Sequence, residues 1–367
     1  MSGSLSSQQF DSLWWNWTKH LLTLYFPLVS MVFLLTAPHS WYIALLMALI
    51  PQGLAFYWDT RGKKEVRSPN PDFPDWPFNL IMFIAAGLQF FNIYLYVEFF
   101  ATHDFLRLDS LVALLLVGGS SGYSGITLAH EFIHRRSKVY QWVGRSLLVS
   151  VFYEHFYTEH LRGHHVKVAA PDDPATAKFG ENFNSFYFRT VPGQLKSAWA
   201  IECKRLHNEN QAIMHGSIFY NRVAQGMAAQ LLLSIIIVLG FGPVALVMWL
   251  LQSQNASQLL EAVNYFEHWG LQRQSKHVQP RDSWDTHAWF TYYGLVGLTR
   301  HADHHANPTR PYQHLCTSTE SPELPAGYVG MVFLVFFRNR KFRAIMTKTL
   351  EESRLGPFRD ADIAMPR

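Results

Sequence analysis

VAQGMAAQLLLSIIIVLGFGPVALVMWLLQSQNASQLL fills residues 223–260, and its 38 positions contain no Asp, Glu, Lys or Arg. A helix that crosses a bilayer needs about 20 mostly apolar residues, so the run is too long for one crossing and long enough for two. Near its middle stands Gly240-Phe241-Gly242-Pro243. Glycine and proline end helices and turn the chain, so the run reads as a helical hairpin. Residues 21–58 repeat the pattern over another 38 positions, with Ala37-Pro38-His39-Ser40 as the breaker. Residues 78–97 and 110–129 are charge-free runs of 20, one helix each. The fold class expected is therefore an all-α integral membrane protein with six transmembrane helices. A soluble helical protein with buried helices is the weaker alternative, because four such runs rarely coincide.

The 367-residue chain is 49% hydrophobic, 15% aromatic and only 16% charged, against about 25% charged in soluble proteins. This excludes a disordered chain, a coiled coil and a basic nucleic-acid-binding module. Two cysteines, Cys203 and Cys316, exclude a disulfide scaffold, a four-cysteine zinc site and an internal iron–sulfur or rubredoxin-type centre. With both termini cytoplasmic, only Arg107 of the 31 Lys and Arg lies outside, as the positive-inside rule requires. No cleavable signal is expected, since residues 1–9 carry no basic side chain and a second span follows the first. The organisation expected is 1–129 with spans one to four and a cytoplasmic linker, 130–222 as a cytoplasmic insertion, 223–267 as the last two spans, and 268–367 as a cytoplasmic tail. Within the tail, residues 328–337 are apolar but too short to span, and Arg338, Arg340, Lys341 and Arg343 follow. That pattern suits an interfacial helix on anionic lipid.

Nine of the 18 histidines form four clusters. They are His130-Glu131-Phe132-Ile133-His134; His160-Leu161-Arg162-Gly163-His164-His165; His268 in Asn264-Tyr265-Phe266-Glu267-His268; and His301-Ala302-Asp303-His304-His305. Residues i and i+4 share a helix face, so His130 with His134, and His160 with His164, are each placed to grip one ion. Adjacent residues diverge by about 100°, so within each of the pairs His164-His165 and His304-His305 one member can serve a different ion from its neighbour. Nine imidazoles exceed an octahedral shell, and the sequence asks for two metals. The hairpin reading of 223–260 brings His268 to the same membrane face as the other eight. His103, His207, His215, His277, His287 and His314 read as isolated, and His155 is undecided.

His130-Glu131-x-x-His134 also fits a zinc-protease motif, with Glu131 as general base. That reading leaves seven clustered histidines idle. A histidine-rich metal transporter would need ligands near mid-membrane. A site touching the bilayer implies an apolar substrate, and hydrocarbon offers nothing to hydrolyse, so oxidation with O2 at two iron ions is preferred. Glu131, Glu159, Glu267 and Asp303 are candidates to accept hydrogen bonds from the ligand rings and fix them.

The boxes resemble those of the membrane-bound alkane 1-monooxygenases, within the membrane fatty-acid desaturase and hydroxylase superfamily. The matching text is HEFIH at 130–134, EHLRGHHVKVAAPDDPATAKFGENF at 159–183, RTVPGQLKSAW at 189–199, NYFEHWGL at 264–271 and HADHHANPTRPYQHL at 301–315. The Asn-Tyr-x-Glu-His element points to the alkane and xylene hydroxylase branch. The resemblance implies a cytoplasmic histidine-box region holding a di-iron site, with His130, His134, His160, His164, His165, His268, His301, His304 and His305 as ligands. It further implies terminal hydroxylation of an alkane or alkyl chain, with O2 as co-substrate. Electrons would come from a separate rubredoxin and its rubredoxin reductase, at a bacterial inner membrane. A lipid or terpenoid hydroxylase or desaturase of the same superfamily is the alternative. Residues 1–129 match only in hydropathy, and Trp269 stands where Tyr is usual.

The sixth span departs from that resemblance by being polar. Gln254, Ser257, Glu261 and Asn264 fall near the helical face of His268 at about 100° per residue. Interhelical hydrogen bonding is one reading; the other is a polar wall on a substrate channel, suited to a substrate with an oxygen function.

Overall fold

Helices end where the sequence breakers stand. The computed structural model describes residues 12–208, 210 and 216–359. Among the described residues five helices are long and apolar enough to cross a membrane: α1 Leu13–Thr36, α2 Trp41–Arg61, α3 Asp75–Thr102, α4 Leu108–His134 and, later, Arg222–His268. Between them lie α5 Lys138–Ser150 and α6 Phe183–Arg205. The 47-residue helix Arg222–His268 is α7. After it come α8 His301–Ala306, α9 Tyr328–Phe337 and α10 Asn339–Glu352. Among the described residues the only β pairing is two isolated bridges, Lys64 with Ala288 and Asp285 with Glu323.

α7 is folded in half. Gly242 has φ 88 and ψ 171 inside it, a backbone region essentially reserved for glycine. In a straight helix Gly226 and Glu261 would be about 53 Å apart at 1.5 Å per residue. Instead both meet the segment after α5: a Cβ on Gly226 would clash with the Glu154 carboxyl, and Glu261 accepts a hydrogen bond of 2.8 Å from Tyr153. Trp249 Nε1 also donates to the Ser150 carbonyl at 2.9 Å. The second limb thus returns His268 to the end where Arg222 begins. Outward side chains of the first limb, such as Leu231 at 62% and Leu239 at 82% exposure, form an apolar surface suited to lipid rather than water.

The boundary expected at residue 129 falls inside α4, which continues unbroken through His134. The first histidine box is the last turns of an apolar helix, because its Phe132 and Ile133 face the core as the preceding residues do. The linker and the tail are locked together. Arg300, 2% exposed, donates to the Arg67 carbonyl at 2.9 Å, and its guanidinium lies 4.0 Å from the centre of the Tyr292 ring. One face of α9 is buried and held to α2 by a 2.9 Å bond from the Gly330 amide to Asp59, while Phe337 is 71% exposed.

An added Cβ at Gly242 would meet nothing within 4 Å, so Gly242→Ala tests conformation alone. It should cost about 1–3 kcal/mol, read as a lower midpoint of thermal unfolding in detergent, whereas Gly240→Ala should leave that midpoint in place.

Candidate metal centre

Four segments meet at one end of the bundle. α4 supplies His130 and His134, the short helical stretch 156–167 supplies His160, His164 and His165, the end of α7 supplies His268, and α8 supplies His301, His304 and His305. The imidazoles sort into two groups. One holds His130, His134, His160, His165 and His304; the other holds His164, His268, His301 and His305, each with ligand nitrogens within 4.8 Å of one another. His164 is thus split from His165, and His304 from His305, as the 100° divergence requires.

The pairing of His160 with His164 expected from i,i+4 spacing is replaced by His160 with His165. The cause is a π-helical turn at His160–His164, in which the His165 amide bonds back to the His160 carbonyl. A wider turn puts i and i+5 on one face. α4 carries a second π turn at Ser121–Ile126, just before the first box.

The nitrogens are crowded. Nε2 of His160 lies 3.0 Å from Nε2 of both His134 and His165, and His165 is 3.2 Å from His304. In the second group His301 is 3.2 Å from His268 and 2.9 Å from His305. Nitrogens held about 2.1 Å from one metal stand about 3.0 Å apart at right angles and about 3.4 Å apart at the tetrahedral angle. The spacing fits sites with near-right angles better than a tetrahedral zinc. Nε2 of His130 and His164 are buried with no hydrogen-bond partner, as lone pairs reserved for a cation would be. Burial, reinforced by neighbouring imidazoles, holds His160, His165, His301, His304 and His305 well below the usual histidine range, so these rings are neutral at pH 7, the form a metal takes as ligand.

The expected ring-orienting carboxylates behave differently from one another. Glu267 is at the centre: its Oε2 lies 3.2 Å from Nε2 of His301, and its Oε1 accepts a bond from the Tyr328 hydroxyl. Glu131 turns away, paired with Arg135 at 2.7 Å and accepting from the Tyr312 amide at 3.2 Å. Asp303 holds Arg310 at 2.6 Å and the Cys316 amide at 2.8 Å. Glu159 is fully buried against Gly163, where a Cβ would stand 2.5 Å from its Oε1. Desolvation, then the nearby Asp173 and Glu261, push its carboxyl well above the usual range. The orientation of Glu131 also removes the general base that a zinc protease needs.

Sequence reasoning missed Asp173. Its Oδ2 lies 2.9 Å from Nδ1 of His164 and accepts 2.6 Å from the Thr176 hydroxyl. Burial opposes its charge, but the His164 ring and these hydrogen bonds hold its pKa below the ordinary value. This contact leaves Nε2 of His164 for a metal. Asp285 was missed as well: it caps the third box by accepting from the Ala302 amide at 2.7 Å, and burial raises its carboxyl to about 8. The local sign was the Asp-Asp-Pro-Ala-Thr turn at 172–176, which says nothing about its target. His103, His155, His207, His277, His287 and His314 lie outside both groups, and His215 lies outside the described residues.

A cavity of about 30 Å³ opens on His130, His160 and His301 and is walled by Ile126, Phe156, Leu260 and Val263. The polar stripe on α7 divides at this point. Asn264 lines this cavity. Glu261 is buried beside it, bonded to Tyr153, Gln194 at 2.8 Å and Asn264 at 3.2 Å. Gln254 and Ser257 line a separate groove, so the four residues do not form the single channel wall expected; the apolar Leu260 and Val263 take the face toward the metal-side cavity.

An apolar helix bundle carrying two groups of inward imidazoles at one end defines a membrane metalloprotein. The sequence profile described as Fatty acid desaturase matches residues 108–334. Alkane 1-monooxygenase 1 of Alcanivorax borkumensis is 31% identical over 281 residues, covering 75% of this chain and 68% of that protein. Alkane 1-monooxygenase of Pseudomonas putida is 36% identical over 242 residues, with 64% and 59% covered. The xylene/toluene monooxygenase hydroxylase component of the same species is 25% identical over 221 residues, with 59% and 58% covered. The chain belongs to the fatty acid desaturase family, among its alkane 1-monooxygenase-type oxidoreductases, and is an integral membrane protein. The matched region spans about three-fifths to two-thirds of these relatives' own length.

Asp173→Asn should lower metal affinity about 10- to 100-fold, confined to the group containing His164. Metal titration of the purified protein should lose one of two binding steps; an unchanged titration would mean that Asp173 only folds its own turn.

Proposed function

We propose that the protein is a di-iron monooxygenase that hydroxylates the terminal carbon of an alkane or alkyl chain. The observation that carries this reading is the paired imidazole cluster opening on an apolar cavity. Five and four imidazoles would hold two iron ions as the two groups, with Glu267 beside the second. Bound there, the metals would supply O2 activation strong enough to break an unactivated C–H bond. The chain does the rest: Ile126, Phe156, Leu260 and Val263 exclude water and align the terminal carbon, and Asp173 fixes the ring of His164. Tyr328 holds the Glu267 carboxyl in place.

The two limbs of α7 count as two crossings, giving six spans with the imidazoles and both termini on the cytoplasmic side, at a bacterial inner membrane. Rubredoxin, kept reduced by rubredoxin reductase, is the proposed electron donor, because two cysteines cannot build an internal carrier. Arg and Lys crowd the cytoplasmic segments and would attract an acidic carrier.

Purified protein should hold two iron per chain and form a primary alcohol from a linear alkane when given O2, reductase and rubredoxin; one zinc and no alcohol would overturn the reading. His130→Ala, His164→Ala, His268→Ala and His304→Ala should each abolish the alcohol while the protein still inserts. Retained activity and iron in the His268 variant would remove that residue from the ligand set. Turnover with pre-reduced carrier should slow as salt shortens the screening length from about 30 Å at 0.01 M to about 8 Å at 0.15 M. A rate independent of salt would rule out electrostatic docking.

A further inference from the structure

A groove of about 690 Å³ runs between the two limbs of α7, α6 and residues 151–155, within the roughly 300–1,000 Å³ of small-molecule sites. Its rim is hydrocarbon, with Phe152, Leu195, Met227, Leu231 and Leu250 all exposed on the apolar surface of the bundle. Its buried lining, Val151 apart, is polar but uncharged: among the described residues no Asp, Glu, Lys or Arg lines it. Most of those polar groups are already engaged. Ser234 and Ser257 donate to carbonyls of their own helix at 2.8 and 3.0 Å, Ser253 does so at 2.8 Å, and the Gln254 amide meets the Tyr187 hydroxyl.

Two nitrogens are not engaged. Gln230 is 5% exposed, and its Nε2 has no hydrogen-bond partner. Nε2 of His155 is likewise buried and unpartnered. Two buried nitrogens without partners are costly beside lipid, and they point to a ligand that brings an oxygen. Burial draws His155 down to about 4, so its ring is neutral. A carboxamide and a neutral imidazole each donate and accept, as a hydroxyl does. A carboxylate or phosphate would find no cation among the lining residues, and an alkane would leave both nitrogens unbonded.

We propose that this groove binds the primary alcohol made by the reaction, with the alkyl chain along the apolar rim and the hydroxyl on Gln230 and His155. The assignment rests on the hydroxylase reading. It also gives the polar stripe of α7 a use: Tyr153 lines the groove, Asn264 lines the metal-side cavity, and both bond to Glu261 at 2.8 and 3.2 Å. One strip of the wall between the two spaces is thus a chain of hydrogen-bonding side chains through Glu261, set among hydrocarbon, and the proposal takes it as the route of the hydroxyl toward the bilayer.

The test is photolabelling of the purified protein in phosphatidylcholine nanodiscs, without electron donor, by dodecan-1-ol carrying a mid-chain diazirine. Label should map to residues 187–195, 227–234 and 250–257. Unlabelled dodecan-1-ol should protect about tenfold better than dodecane or dodecanoate, a difference of about 1.4 kcal/mol. Gln230→Leu combined with His155→Phe should reduce the label by a similar factor. Equal protection by dodecane and dodecanoate, or label elsewhere, would make the groove an unselective lipid crevice and overturn the proposal; the competition needs no variant. Failed labelling in protein that still makes alcohol from dodecane overturns this site alone, whereas absence of alcohol from the unaltered protein overturns the hydroxylase reading beneath it.

Discussion

Imidazole nitrogens packed 2.9–3.2 Å apart impose the constraint that the rest of the molecule serves. A neutral imidazole has one N–H and one lone pair, and a ring whose nitrogen faces two others cannot satisfy both. Burial holds His160, His165, His301, His304 and His305 well below the usual histidine range, so charge offers these five rings no escape. The arrangement is consistent when each group shares a central cation, which converts competing lone pairs into common ligands. With a cation in each group, metal binding and the folding of four chain segments would be one process.

Bringing those segments together needs long-range geometry. α7 must double back, and the φ of 88 at Gly242 permits it. α4 and the 156–167 stretch each carry a π turn, which rotates the following residues relative to a regular helix. Without that rotation His160 and His165 would not face one ion. The tail is set by Arg300 and Asp285, which join α8 to the linker and to residues 285–288 by hydrogen bonds to backbone. Each device fixes the backbone that carries a ring, and Asp173 fixes the His164 ring itself.

The division of polar from apolar surface around the centre carries the chemistry. Aliphatic and aromatic walls meet the imidazoles at the metal-side cavity, where water would compete with substrate for the open side of the site. Gln254, Ser257 and Glu261 of the same helix turn aside, toward α6 and the groove, while Asn264 and Glu267 stay beside the cavity. Glu261 stands at the junction, fully buried and held by Tyr153, Thr190, Gln194 and Asn264. A buried carboxyl is tolerated there because its oxygens are hydrogen-bonded from several sides.

The sequence alone determined a great deal. Charge-free runs and their Gly-Pro and Ala-Pro breakers located the apolar helices and the fold in α7, because hydrophobic length and backbone freedom are local properties. Cluster spacing singled out the nine histidines that meet in space and the split within His164-His165 and His304-His305. Tertiary structure decided what depends on helix phase and on distant partners. The π turn exchanged His164 for His165 as the partner of His160. Arg135 and Arg310 drew Glu131 and Asp303 away from the rings, and Asp173, nine residues past His164, took a place that no spacing rule marked. A carboxylate finds its partner by position in three dimensions, and the surrounding helices set that position.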